Sequence, residues 1–157
     1  MLSWVRENRL GQFAVAALVI TLAACTQIVG PARTYQDYER KAGSTAKSVL
    51  SAVQTSRLTL RLGRQDKSFA PYLSVMASES EDTGAGATAT FSGIQPPDDR
   101  AEALGTRLEK TLQEASSALT DVRVRARRTQ LGTPDPKLER RLAKVTRQLD
   151  AFVKEHG

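Results

Sequence analysis

From Ala101 to Thr129 one stripe of residues recurs at every third or fourth position: Ala101, Leu104, Leu108, Leu112, Ala115, Leu119, Val122, Ala126 and Thr129. The mean step is about 3.5 residues, the spacing of a coiled-coil seam. Only a long helix with one face packed against other helices accommodates that spacing. A strand would need alternation at every second residue, and no segment shows it. A stripe of this length must be buried by other parts of the chain, and three other segments carry the same step. Tyr38, Ala42, Thr45, Val49, Val53, Ser56 and Leu60 form the first. Tyr72, Met76, Ser80, Thr83, Ala87 and Phe91 form the second, and Leu138, Leu142, Val145, Leu149 and Phe152 the last. Aromatic residues make up only 5% of the chain, which also favours helices over strands. The expected fold class is therefore all-α, an antiparallel up-and-down four-helix bundle over 34–157. Its helices are expected at about 35–62, 69–92, 98–130 and 135–155, joined by short loops.

Local signals place the helix ends. Thr34 is expected to cap the first helix, with Asp37 reaching back in a capping box. Gly43 inside that helix costs about 1 kcal/mol relative to Ala, and Gly63 is expected to end it in the left-handed conformation. Ser68 reads as the cap of the second helix, with Pro71 in its first turn. Gly84 and Gly86 weaken its middle. Gly93, Ile94 and Pro96-Pro97 follow the glycine, hydrophobic contact and proline order of a Schellman stop. Asp98, Asp99 and Glu102 suit the start of the third helix, and Gly132 and Pro134 its close. Either Thr133-Pro134 or Asp135-Pro136 opens the fourth.

The amino-terminal end carries a different pattern. Arg6 and Arg9 precede an apolar run from Phe13 to Leu22, then small Ala23 and Ala24, then Cys25. Basic, apolar and small in that order is the plan of an export signal. Leu22-Ala23-Ala24-Cys25 resembles the lipobox of bacterial lipoproteins. The resemblance implies a signal peptide over 1–24 that is cleaved, a lipidated Cys25, and a tether over 25–33. Three other readings compete, one of them a buried core helix. An uncleaved membrane helix from Phe13 to Ala24 would span about 18 Å, against about 30 Å of hydrocarbon. An ordinary secretory site after Ala24 would put Leu22 at position −3, where a small residue is wanted. The eight residues Thr26 to Arg33 reach at most about 29 Å, so an anchored bundle hangs close to the membrane.

The body of the chain, at Tyr35-Gln36-Asp37-Tyr38-Glu39 through Arg61-Leu62-Gly63 and at Gln95-Pro96-Pro97-Asp98, is similar to small uncharacterised actinobacterial lipoproteins. That resemblance implies class and location, on the extracytoplasmic face of the cell membrane, and no activity. Tyr35 and Tyr38 lie near the anchored end. They are read either as an interfacial aromatic pair or as first-turn packing.

The residues for catalysis do not assemble in the sequence. His156 is the only histidine, expected to be frayed and solvated, and Cys25 is the only cysteine. Neither a His/Cys metal site nor the Glu and Glu-x-x-His set of a di-metal bundle is available. Ser116-Ser117 has no base partner, and Gly84 and Gly86 lack the strand and the Lys-Ser/Thr of a phosphate loop. No catalytic residue, no metal and no cofactor other than the lipid on Cys25 is expected, and the chain is read as a non-enzyme.

Charge suggests a binding role instead. The formal net charge is +6. In an up-and-down bundle the first-to-second and third-to-fourth turns share the pole away from the start of the first helix. Residues 57–67 and 121–141 there hold 11 basic against four acidic side chains. The opposite pole, over 33–41, 90–102 and 150–157, holds five basic and seven acidic. Helix dipoles explain bases at helix ends, but not Lys137, Arg140 and Arg141 at a helix start. Arg61, Arg64, Arg125, Arg128, Arg140 and Arg141 are therefore read as a basic tip that faces an anionic wall polymer or an acidic protein. Nucleic acid is not expected, because the tip lacks stacking aromatics. The alternative function is a carrier that holds a small apolar ligand between the helices, beside Gly84, Gly86 and Ala85, Ala87 and Ala89.

Overall fold

The computed structural model describes residues 32–65 and 68–157. The expected signal peptide, Cys25 and the tether up to Pro31 lie outside the described residues, as do Asp66 and Lys67 of the basic pole. The remainder is an all-α four-helix bundle: α1 (Tyr35–Arg64), α2 (Ala70–Ser92), α3 (Asp99–Arg127) and α4 (Pro136–His156). No strand occurs among the described residues.

Neighbours in sequence pack side by side, and α4 closes the bundle against α1. The helices α1 and α3 also meet across the diagonal, whereas α2 and α4 do not touch. Small residues make that diagonal short. Ala42 and Ala46 on α1 and Ala101, Ala115 and Ala118 on α3 are fully buried. At Gly105 a Cβ would collide with the Tyr38 hydroxyl, so the absence of a side chain lets the tyrosine lie flat between the helices. Tyr38 completes this end by tilting against Phe91 of α2, ring centroids 5.4 Å apart. Leu108, Leu112, Leu119, Leu142 and Leu149 fill the remaining interior.

The stripes of α1, α3 and α4 face the core as their spacing predicts, apart from half-buried Thr45 and exposed Thr129. On α2 the expected stripe holds at Ser80 and Phe91, with Met76 and Ala87 partly buried against the core, and shifts by one position elsewhere. Leu73, Ala77, Ser80, Gly84 and Phe91 are buried, while Tyr72 and Thr83 face solvent. Residue size misleads here, because a Tyr outweighs a Gly in any apolar pattern although glycine is what the interface needs. A Cβ on Gly84 would stand 2.6 Å from Leu119 Cδ1. The helix runs unbroken through both glycines, and nothing approaches Gly86.

Several ends differ from expectation. Thr34 caps α1 by accepting the Asp37 N–H at 3.2 Å, but the Asp37 carboxylate turns to Arg40 and Lys41 instead of reaching back. Phe69, not Ser68, is the cap of α2, and no side chain bonds there. Asp98 and Asp135 cap α3 and α4 through their carboxylates. Gly63 stays inside α1, where its bare Cα admits Leu131 from the α3–α4 loop. Gly93 is right-handed, so no Schellman stop forms there. The Schellman geometry occurs after α3. Gln130 N–H bonds Arg125 C=O at 2.9 Å and Thr129 N–H bonds Ala126 C=O at 3.1 Å. Thr129, not Gly132, takes the left-handed conformation, with φ 54°. A β-branched residue is strained there.

Two predictions follow from these glycine and cap positions. Gly86→Ala should raise stability by about 1 kcal/mol, the helix-propensity gain, whereas Gly84→Ala should lower it as Leu119 is displaced; chemical denaturation of both variants gives the two signs. Thr129→Gly should raise stability by about 1 kcal/mol, and a melting temperature below wild type would contradict the strain.

Candidate functional site

The basic pole divides into two groups of arginines. Arg57, Arg61 and Arg64 follow steps of four and three on α1, which puts them on one helix face. Arg140 comes from the first turns of α4. These four converge on one groove between α1 and α4, with Leu60, Leu142, Ala143 and Pro136 forming its apolar wall. Its volume is about 370 Å³. Glu139 is the only carboxylate lining it among the described residues, and Arg64 Nη1 binds it at 2.6 Å. Arg57 Nη1 donates to Thr146 Oγ1 at 3.4 Å, a contact that leaves its charge uncompensated. Arg61 and Arg140 are exposed and have no partner among the described residues. The groove is thus a surface trough with an apolar wall and a rim of arginines, three of which face no carboxylate among the described residues.

The other tip residues do different work. Arg125 braces the α3–α4 loop, with Nη1 3.2 Å from Asp135 Oδ2 and Nη2 donating to the Gln130 and Thr133 carbonyls. Its guanidinium is a structural clamp. Arg141 turns to α3, where it meets Asp121 Oδ2 at 2.6 Å and Ser117 Oγ at 2.9 Å. That pairing explains a base at a helix start, which dipole reasoning alone does not. Arg128 is exposed without a partner, just past the end of α3, and does not line the groove. Of the six expected tip residues, the structure brings Arg61, Arg64 and Arg140 together. Arg57 joins them; its helical spacing from Arg61 and Arg64 was the available signal.

A second charged cluster joins α2 to α3. Glu81 accepts from Thr120 Oγ1 at 2.7 Å and pairs with Arg123. Burial pushes its carboxyl up, but the bonds from Thr120 and Arg123 and the nearby Arg127 charge outweigh burial and hold it below the usual range. Asp135 is lowered chiefly by the Leu138 N–H; burial opposes this, and the Arg125 charge, the Lys137 N–H and the Lys137 charge together tip the balance downward.

At the opposite pole His156 is not frayed. Its side chain is 10% exposed, with Nδ1 2.7 Å from Glu39 Oε1 and Nε2 2.9 Å from Arg107 Nη2. Phe152 lies against its ring at 4.6 Å. Gly43 makes this closure possible, since a Cβ there would strike the His156 carbonyl. Sequence position alone pointed to a solvated terminus; the contacts come from α1 and α3. Tyr35 lies under the Arg100 guanidinium at 3.8 Å, and Tyr38 is core. The space beside Gly84 is taken by Leu119, and Ala85, Gly86 and Ala89 face solvent.

Among the described residues no helix is long and apolar enough to cross a membrane. No protein-family model matches the chain, and no curated protein and no solved structure matches it either.

The Glu81 pairing carries a pH dependence. Its folded carboxyl is more acidic than the unfolded one, so its stabilisation is complete above the unfolded value of about 4.3. That stabilisation is lost as pH falls through the lower folded value. Glu81→Gln should therefore lower the melting temperature at pH 7, and the gap from wild type should close below about pH 4; thermal melts across that range measure it.

Proposed function

We propose that the protein is a non-enzymatic, lipid-anchored helical binding or scaffolding module on the outer face of the cell membrane. Cys25 carries the lipid after removal of residues 1–24. The groove rimmed by Arg57, Arg61, Arg64 and Arg140 receives an anionic wall polymer or an acidic protein. The observation that carries this reading is the convergence of four guanidinium groups on one trough with, among the described residues, a single carboxylate, itself already bound by Arg64. Arginine suits such a role, because its planar fork binds carboxylate and phosphate oxygens in pairs. The chain enters α1 at one pole, and the groove opens near the other, where the α1–α2 and α3–α4 turns lie. Stable anchoring needs two or more acyl chains, since one alone is marginal.

Two measurements test the two halves separately. Cys25→Ser should abolish labelling by a palmitate analogue and release the protein from membranes; undiminished labelling rejects the anchor. For the groove, binding of the full chain to purified anionic wall polymer should weaken as salt rises. The pair Arg61→Gln and Arg140→Gln should reduce it about tenfold or more, on the order of 1.4 kcal/mol, within the range of charged hydrogen bonds. Arg128→Gln should matter less. Equal binding by the groove variant would return these arginines to ordinary solvated surface.

A further inference from the structure

The side of the bundle away from the groove carries a face of opposite character. The helix α2 contains no basic residue. Tyr72, Val75, Glu79 and Asp82 follow steps of three, four and three along it, all exposed and opposite buried Leu73, Ala77, Ser80 and Gly84. Tyr72 is 57% and Val75 52% exposed, and Phe69 just before the helix is 76% exposed. Glu79 and Asp82 have no cationic partner among the described residues, although Glu81 between them is paired inward. Two apolar side chains and two free carboxylates thus form one outward stripe. Across the bundle lies a groove with an apolar wall and four arginines, of which only Arg64 meets a carboxylate among the described residues.

The two surfaces stand at the same height. A Cβ on Gly84 would lie 3.8 Å from that of Ala52, so these positions are level on antiparallel α2 and α1. Moving toward the α1–α2 loop by equal steps, which rise equally on any α-helix, Glu79 comes level with Arg57. Val75 comes level with Arg61, and Tyr72 with Arg64. Copies standing side by side with parallel axes therefore set Tyr72, Val75 and Glu79 opposite the groove of a neighbour, with Asp82 level with Gln54, three residues from Arg57.

From this complementarity we infer that the occupant of the arginine-rimmed groove is the α2 stripe of a second copy of this chain. The inference rests on the reading of the groove as a site for an acidic partner, and names that partner. Tyr72 and Val75 cover the apolar wall at Leu60, Leu142 and Ala143, while Glu79 meets the rim at Arg57 and Asp82 lies beside that end of it. Because α2 and α4 lie on opposite sides of the α1–α3 diagonal, the contact is head-to-tail and does not close by a two-fold axis. Each copy offers one stripe and one groove, so the association extends into a row. Copies tethered at one pole to a common surface meet the requirement of equal height.

The test is photo-crosslinking of the full chain as expressed, with Tyr72 replaced by p-benzoylphenylalanine and two differently tagged copies present. The expected product joins the two tags, and its crosslink maps to residues 57–64 or 136–143. Arg61→Glu with Arg140→Glu should abolish it, as should Glu79→Lys with Asp82→Lys. All four reversals in one chain should restore it. Both arginines and both acids are exposed and have no partner among the described residues, so these reversals leave the fold intact. The absence of a two-tag product, a crosslink elsewhere on the surface or to a different protein, or no response to charge reversal each overturns the assignment. Polymer binding, measured on the same variants, separates this result from the broader reading. Polymer bound through Arg61 and Arg140 without a two-tag product keeps the anionic groove and rejects the second copy. A charge-dependent two-tag product without polymer binding supports the second copy alone.

Discussion

The close approach of α1 to α3 is the constraint on which the rest of the bundle depends. Fully buried alanines on both helices, and the missing side chain of Gly105 beneath the Tyr38 hydroxyl, shorten this diagonal. Dispersion contacts between such small groups are individually weak. They are numerous only when the backbones come near, so packing here depends on residues that add little hydrophobic area themselves. A short diagonal also forces the other diagonal apart. The helices α2 and α4 then sit as separate flanks, each with an outer face that the bundle itself does not cover. The leucines of α3 and α4 fill the space between, and Gly84 gives way to Leu119 where α2 would otherwise stand off.

Charge is distributed over that frame in two ways. Where an arginine has a carboxylate on the neighbouring helix or loop, it braces the bundle: Arg123 with Glu81, Arg125 with Asp135, Arg141 with Asp121. Such partly exposed pairs stabilise by small amounts, and their clearer effect is to fix which helix faces lie together. Arg61 and Arg140 have no such partner among the described residues. The difference between a brace and a binding surface lies in this pairing, since the side chains are chemically the same. The same distinction applies to the acids of α2, where Glu81 points inward to Thr120 and Arg123 while Glu79 and Asp82 point out.

Glycine acts in this protein mainly by leaving room, and not by adopting unusual backbone angles. Gly43 admits the His156 carbonyl, Gly63 admits Leu131, and no described glycine has a positive φ. The left-handed cap after α3 falls to Thr129. Turn chemistry alone would have assigned these roles the other way round. A local sequence window does not contain the neighbouring helix that makes a side chain impossible at Gly43 or Gly63.

The sequence by itself determined the all-α class, the number of helices, their extents to within a few residues and the concentration of positive charge at one pole. These follow from periodicity and capping, which act within one turn or along one helix. The tertiary structure alone decided that Leu73 and not Tyr72 faces the core, that His156 is held and not frayed, and that Arg57, Arg61, Arg64 and Arg140 share a groove while Arg125 and Arg141 are spent on braces. Each of those outcomes depends on what the adjacent helix presents at the same height. That is set by how closely the helices approach, and the approach is governed by small residues far apart in the chain.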